Sequence, residues 1–135
     1  MGYGVPAAVA AAKRHPERTV VALAGDGDFL MNGQELATAV QYGCDLLVVL
    51  VDNGAYGTIR MHQEREFPGR VQSTDLLNPD FVALAEAFGA YAERVERTED
   101  FPEAFRRAQA SQRPAVIELR TDPLQITPQA RLKSE

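Results

Sequence analysis

Two short apolar runs, each followed by a glycine-containing turn with an oxygen-bearing side chain, constrain the fold of this chain most. The first run, residues 19–24, leads into Gly25-Asp26-Gly27, and the second, residues 46–51, leads into Asn53-Gly54. Asp26 and Asn53 are 27 positions apart, which is enough for one strand–helix–strand crossover between parallel strands. Because parallel strands end at the same edge of a sheet, where ligands of open α/β sheets bind, we expect Asp26 and Asn53 to lie close together.

The rest of the chain continues an alternation of helical and strand patterns. We predict an α/β fold with three layers, in which helices cover both faces of a mainly parallel sheet. We expect both faces of the first strand to be covered, a glycine-rich turn over residues 25–33 and an irregular segment over residues 53–80. The predicted helices are residues 5–15, 33–42 (capped by Asn32), 81–88 and 101–111, and the predicted strands are residues 19–24, 46–51, 90–95 and 115–120.

Composition limits the class of protein. A chain of 135 residues with 45% apolar residues can form one domain with a core, here residues 1–120, followed by a tail over residues 121–135. The net charge of −5 argues against nucleic-acid or anionic-membrane partners. Cys44 is the only cysteine, so we expect a buried thiol in a reducing cytoplasm, with neither an internal disulfide nor a multi-cysteine zinc site. We expect neither a membrane span nor a signal peptide.

The turn residues have the chemistry of a magnesium–phosphate site. Magnesium prefers oxygen ligands and shares them with substrate phosphates. Asp26 offers a carboxylate, Asn53 an amide oxygen, and the backbone just after Asn53 a carbonyl. The glycines at positions 25, 27 and 54 let backbone N–H groups approach phosphate oxygens.

Two alternatives remain at this point. Asp-Gly and Asn-Gly are also common hairpin turns, but the residues that follow Asp26-Gly27 have a helical rather than a strand pattern. A different nucleotide-binding α/β domain is disfavoured, because the chain contains neither the Gly-x-x-x-x-Gly-Lys phosphate loop nor a Gly-x-Gly-x-x-Gly motif after the first strand.

Three blocks in order resemble one enzyme family. The chain has Gly-Asp-Gly followed after 25 residues by Asn53, and it carries the segments MGYGVPAA at residues 1–8, GDGDFLMNGQEL at residues 25–36 and NGAYG at residues 53–57. Over roughly residues 1–120, these blocks resemble the C-terminal thiamine diphosphate-binding domain of the acetolactate synthase, benzoylformate decarboxylase and pyruvate oxidase family.

The resemblance implies roles for individual residues. Asp26, Asn53 and the main-chain carbonyl of Ala55 would bind magnesium. Gly27 and Asp28 would offer backbone N–H groups to the diphosphate of the cofactor, and Gly25 gives the backbone room to approach it. Tyr56 would lie beside the diphosphate, and Met1 would bend the cofactor into a V shape.

Two departures from the family pattern affect what we expect of the chain. Asp52 stands where the family often has asparagine, and its added charge matters unless the side chain points away from the metal. Nothing in the chain resembles the family's pyrimidine-binding domain, whose glutamate protonates the cofactor, and the usual first strand of the cofactor domain is not recognisable. We therefore expect part of a longer enzyme, with no catalytic residue of its own and inactive alone.

The expected substrate is a 2-oxo acid, and the expected partner is a pyrimidine-binding domain of the same or a second subunit in a homo-oligomer. A non-catalytic fragment or subunit that acts as an oligomerisation scaffold is the alternative. Which 2-oxo acid is used, which product forms and whether flavin is present stay open.

Overall fold

The computed structural model of the chain describes residues 1–126, 129 and 131. Within this part, helices and strands alternate in the order predicted, with two additional helices and two 3-10 turns, Gly33–Glu35 and Thr98–Asp100. In chain order the elements are α1 (Gly4–Arg14), β1 (Val21–Gly25), α2 (Asp26–Asn32), α3 (Leu36–Gln41), β2 (Leu47–Asp52), α4 (Gly57–Glu66), α5 (Phe81–Ala87), β3 (Tyr91–Val95), α6 (Phe101–Ala110) and β4 (Ala115–Arg120).

The sheet has the strand order β1-β2-β4-β3, and each neighbouring pair is parallel. β1 and β2 are therefore neighbours, as their spacing predicts. Gly25 pairs with Val51, and Asp52 pairs with Arg120, so β1, β2 and β4 end side by side at one edge. The predicted α/β class with a parallel sheet and helices on both faces is confirmed.

Two apolar clusters lie on opposite faces of the sheet. On one face, α1 and α5 pack on alternate strand residues such as Ala24, Leu50 and Val116. On the other face, Ala104 and Ala108 of α6 lie against the strand residues Leu47, Val49, Ala115 and Ile117. Small alanines let the helices approach the strands closely, and burial of the strand side chains supplies the main stabilising free energy.

β1 corrects one expectation. We predicted that both of its faces would be covered, but they alternate between exposed and buried. Val21 is 44% and Leu23 is 74% exposed, whereas Ala22 and Ala24 are buried. The reason is the strand order, because β1 lies at one edge while α6 packs on β3 and β4 at the other side of the sheet.

The segment after β1 also differs from the prediction. Residues 26–32 form α2 directly after the strand instead of a glycine-rich turn, and a 3-10 turn links α2 to α3. Asn32 does not cap a helix with its side chain. Its Nδ2 donates instead to the carbonyl oxygen of Gly2 at 2.8 Å.

The segment 53–80 is not irregular throughout, since it contains α4. None of the α4 residues is buried, so the helix carries no apolar stripe that a sequence pattern could reveal. Residues 67–80 return to the sheet edge, where the backbone N–H of Leu76 donates to the carbonyl of Gly54 at 2.8 Å and that of Tyr56 donates to the carbonyl of Thr74 at 2.8 Å.

The structure also bears on the expectations for Cys44, for a membrane span and for the tail. Cys44 is buried, as predicted. No helix in the described part of the chain has the length and apolar character needed to cross a bilayer. The predicted tail 121–135 lies partly outside the described residues. Within them, the backbone N–H of Thr121 donates to the carbonyl of Asp52 at 2.9 Å.

The packing of the core predicts that truncating the side chain of Phe81 strongly lowers the stability of the fold. Its ring is fully buried and meets Phe29 edge-on, with ring centroids 5.7 Å apart. We expect Phe81→Ala to lower the free energy of unfolding by about 3–5 kcal/mol, because it removes buried area and leaves a cavity. Phe67, which is 58% exposed, provides the control, and Phe67→Ala should change stability by less than about 1 kcal/mol. Equal urea midpoints for both variants would contradict this packing.

Candidate functional site

One pocket of about 250 Å³ lies at the carboxyl ends of β1 and β2. It brings together every residue predicted to bind metal or cofactor. These lining residues are Met1, Gly25, Asp26, Gly27, Asp28, Asn53, Ala55 and Tyr56. The pairing of β1 with β2 places the two predicted turns beside each other, although they are 27 residues apart in the chain.

Asp26 is the buried acidic group of this pocket, only 3% exposed. Its Oδ1 accepts a hydrogen bond from the backbone N–H of Gly27 at 2.9 Å. Its Oδ2 accepts from the backbone N–H of Gly54 at 2.9 Å and from Nδ2 of Asn78 at 2.7 Å. Two donors therefore hold Oδ2, whereas Oδ1, with one donor, keeps an acceptor site for a cation.

Asn53 and Ala55 lie on the turn that follows β2. Oδ1 of Asn53 accepts from the backbone N–H of Ala55 at 3.1 Å, a local bond typical of asparagine in turns. The carbonyl of Ala55 accepts from the backbone N–H of Gly57 at 2.9 Å. The positive φ of 66° at Gly54 lets the chain turn between them. Each oxygen has two acceptor sites, so one hydrogen bond leaves room for a cation.

The donor set fits a hard cation. One carboxylate, one side-chain amide and one main-chain carbonyl are the oxygen types that magnesium takes, and the remaining ligands in such sites are phosphates and water. In the part of the chain that the structure describes, no three His, Cys, Asp or Glu side chains form a metal-binding group. The pocket therefore suits a cation that arrives with a negatively charged ligand, rather than an all-protein metal cage.

Gly27 and Tyr56 are in close contact on the wall of the pocket. A Cβ atom on residue 27 would lie 2.3 Å from Cε1 of Tyr56, so any side chain there would displace the ring. By contrast, a Cβ atom on Gly25 would meet nothing within 4 Å. Glycine at position 27 thus leaves room for the Tyr56 ring against the start of α2.

Met1 is held at the pocket by polar contacts to the next residue. The backbone N–H of Gly2 donates to Oδ1 of Asp28 at 2.6 Å, and Nδ2 of Asn32 donates to its carbonyl at 2.8 Å. Sequence reasoning assigned only the backbone of Asp28 to the site and missed this side-chain contact. The partners are 26 and 30 positions apart, so no local pattern reveals them.

Asp52 does not point away from the site. Its Oδ1 lies 3.0 Å from the backbone N–H of Gly54 and 2.8 Å from Nδ2 of Asn78, both of which also donate to Asp26. Its Oδ2 lies 2.9 Å from Nη1 of Arg120 on β4. Asn78 was missed by sequence reasoning, because it lies in the segment predicted to be irregular.

The polar contacts continue along the sheet edge beyond Arg120. Nε of Arg120 lies 3.0 Å from Oε1 of Glu118, and Nε of Arg94 lies 2.9 Å from Oε2 of the same carboxyl. Burial raises the pKa of Glu118, while its hydrogen bond to Arg94 opposes that rise. The same hydrogen bond raises the pKa of Arg94.

Comparison with known proteins places the chain beside thiamine-dependent enzymes. The family model described as "Thiamine pyrophosphate enzyme, C-terminal TPP binding domain" matches residues 1–119. The large subunit of acetolactate synthase isozyme 2 from Escherichia coli K12 is 39% identical over 126 residues, which are 93% of this chain and 23% of that protein. The acetolactate synthase large subunit of Corynebacterium glutamicum is 40% identical over 124 residues, 87% of this chain and 20% of that protein.

Solved structures give the same result. A thiamine diphosphate-dependent 4-hydroxybenzoylformate decarboxylase of Rhodococcus jostii RHA1 superposes with a TM-score of 0.85 at 37% identity, covering 90% of this chain and 23% of that one. A benzoylformate decarboxylase of Polynucleobacter necessarius gives a TM-score of 0.84 at 31% identity, covering 90% of this chain and 24% of that one. The chain therefore spans roughly a fifth to a quarter of the length of these relatives.

The contact between Asp28 and Gly2 can be tested by removing its acceptor. We expect Asp28→Ala to lower the free energy of unfolding by about 1–2 kcal/mol, because the backbone N–H of Gly2 loses a charged partner. Asp28→Asn, which keeps an acceptor oxygen, should recover most of this loss. Urea unfolding measures the difference, and equal destabilisation by the two substitutions would show that the hydrogen bond does not hold the segment.

Proposed function

The chain belongs to the thiamine pyrophosphate enzymes, as their C-terminal TPP-binding domain, and on that premise we propose that it binds magnesium and thiamine diphosphate for a 2-oxo acid decarboxylase or carboligase. The observation that carries the proposal is the single pocket lined by Asp26, Asn53 and Ala55 together with the residues assigned to the cofactor. Three residues with oxygen ligands of the kind that magnesium prefers line it together with Gly27 and Asp28, whose backbone N–H groups suit phosphate.

In this proposal, Asp26 supplies the charged ligand through Oδ1, and Asn53 and the carbonyl of Ala55 supply neutral oxygens. Asp26 is buried, so its charge acts at low effective dielectric and a divalent cation is attracted strongly. The two neutral ligands add coordination without further negative charge, which suits a cation that must also bind a diphosphate.

In this proposal the diphosphate lies at the first turn of α2. The backbone N–H groups of Gly27 and Asp28 would donate to it, that of Gly27 in place of its bond to Oδ1 of Asp26. Gly25 leaves space for the diphosphate, and the ring of Tyr56 would lie alongside. Met1, 69% exposed and held through Gly2, would support the bend of the cofactor. When bound, thiamine diphosphate supplies the electron sink for decarboxylation, and the protein's part is to bind and bend it.

The proposal includes partners that the chain does not itself supply. A pyrimidine-binding domain, on the same or a second subunit, would contribute the glutamate that activates the cofactor, within a homo-oligomer that acts on a 2-oxo acid. The chain's coverage of about a fifth to a quarter of its relatives' length supports this dependence. The free thiol of Cys44 suits a reducing cytoplasm, which we propose as the compartment.

One observation favours a second candidate function, an oligomerisation scaffold without a competent cofactor site. Val21 and Leu23 expose apolar side chains on β1, an edge strand in this sheet. Exposed apolar edges favour association with other chains. Cofactor binding distinguishes the two candidates, because a scaffold needs no affinity for thiamine diphosphate.

The metal assignment predicts a loss of cofactor binding when Asp26 is neutralised. In calorimetric titrations of the complete protein with thiamine diphosphate and Mg²⁺, Asp26→Asn should weaken binding at least about 100-fold, because the charged ligand is lost. Asp45→Asn removes an exposed carboxylate just before β2, at the strand end away from the pocket, and should leave binding unchanged. Unaltered binding by Asp26→Asn, with the fold verified by circular dichroism, would contradict the assignment. Absence of binding by the parent protein would favour the scaffold.

Because we propose that a pyrimidine-binding domain contributes the activating glutamate, we expect these 135 residues alone to have no turnover. We expect no carbon dioxide release above the rate with free cofactor when the isolated chain is incubated with a 2-oxo acid, thiamine diphosphate and Mg²⁺. Benzoylformate and pyruvate are suitable substrates for this assay. Turnover that depends on the chain would contradict the proposed need for a second domain.

A further inference from the structure

We infer that Asn78 is a positioning residue for the metal site, because its amide holds the carboxylates of Asp26 and Asp52 side by side. This inference rests on the proposed function, since it takes Asp26 as the charged ligand of a divalent cation. Asn78 is not among the residues that line the pocket. It acts through Asp26, by fixing which oxygen of that carboxylate turns toward the pocket.

The hydrogen bonds of Asn78 match the chemistry of a primary amide. Nδ2 lies 2.7 Å from Oδ2 of Asp26 and 2.8 Å from Oδ1 of Asp52. An amide nitrogen carries two hydrogens, so it can donate one to each carboxylate. The amide oxygen of Asn78 is buried and has no donor in the described part of the chain. With two carboxylates facing the amide, its NH₂ group is the end that must point at them.

Asn78 supplies most of the hydrogens that lie between Oδ2 of Asp26 and Oδ1 of Asp52. The other shared donor is the backbone N–H of Gly54, at 2.9 Å from Asp26 and 3.0 Å from Asp52, and it has a single hydrogen. Without Asn78, the two carboxylates would face each other across that one hydrogen. Both are almost fully buried, so solvent would screen their repulsion weakly, and the nearby cation, Arg120, contacts only Asp52 of the two. Asp26 would then turn away from Asp52, and its orientation in the pocket would change.

Asn78 could instead serve to attach residues 67–80 to the sheet edge. Other contacts already make that attachment. The backbone N–H of Leu76 donates to the carbonyl of Gly54, and the backbone N–H of Tyr56 donates to the carbonyl of Thr74, both at 2.8 Å. On the other side, Asp80 caps α5 by accepting from the backbone N–H groups of Val82 at 3.0 Å and Ala83 at 3.1 Å. The backbone on both sides of Asn78 is thus fixed independently of its side chain.

The experiment compares the Mg²⁺ dependence of thiamine diphosphate binding in the complete protein, measured by calorimetry over a range of Mg²⁺ concentrations. We expect Asn78→Ala to raise the Mg²⁺ concentration for half-maximal binding about tenfold or more, as is typical when a partner of a metal ligand is removed. Saturating Mg²⁺ should restore the cofactor affinity, which would not happen if the pocket had collapsed. Leu77→Ala is the matched control, because that neighbouring side chain is fully exposed, and it should bind like the parent.

A second background tests whether Asn78 acts on the carboxylate pair. In Asp52→Asn the repulsion between the two carboxylates is absent, so adding Asn78→Ala should raise the required Mg²⁺ less than about threefold. If Asn78→Ala does not fold, as judged by circular dichroism, Asn78→Ser takes its place, because one hydroxyl can donate to only one carboxylate.

The outcomes separate this inference from the proposed function. Parent-like Mg²⁺ dependence of Asn78→Ala overturns the inference, as does an equal penalty in the parent and Asp52→Asn backgrounds. A loss of affinity that saturating Mg²⁺ does not restore also overturns it. If the parent protein shows no Mg²⁺-dependent binding, the proposed function fails first. If the parent binds and the Asn78 variants bind equally well, only the role of Asn78 fails.

Discussion

The parallel pairing of β1 with β2 is the interaction on which the candidate site depends. Gly25 is paired with Val51, so the next residues, Asp26 and Asp52, lie at the same level of the sheet edge. Side chains alternate between faces along a strand, and a slip of one residue would turn Ala22 and Ala24 away from α1. The apolar core on that face therefore fixes the register, and the register fixes the distance between the two turns.

Hydrogen bonds between the aligned strand ends then fix the positions of the acidic side chains. The backbone N–H of Gly54, on the turn after β2, donates to Asp26 at the end of β1. Asn78 adds a second link between the same strand ends, and Arg120 extends the contacts to β4. A buried carboxylate without such donors would carry a large desolvation cost. The polar contacts thus hold the buried Asp26 in one orientation at the edge of the sheet.

Short-range sequence patterns predict the strands and the proximity of their turns. Long-range contacts determine the two additional helices, the exposed face of β1 and the side-chain partners of the site. The runs 46–51 and 115–120 have the composition of buried strands, and β2 and β4 lie there within one residue. α4 has no apolar stripe, and α2 begins at a Gly-Asp-Gly sequence of low helical propensity, so tertiary contacts override the local signal in both places. The exposed face of β1 depends on strand order, which local periodicity does not encode. Asp28 and Asn78 act on partners 26 to 52 positions away, beyond the reach of any motif.

The position of Asp52 shows how the surrounding fold accommodates a change in the local motif. The resemblance to the family leads one to expect asparagine there, yet a carboxylate only 1% exposed stands beside Asp26. A buried carboxylate carries a desolvation cost that a nearby cation offsets. That cation is Arg120, the register partner of Asp52 on β4, at 2.9 Å. Because Arg120 also contacts Glu118, the charge balance beside Asp26 depends on three adjacent strands, and a description of the site limited to its two turns would omit the groups that determine its electrostatics.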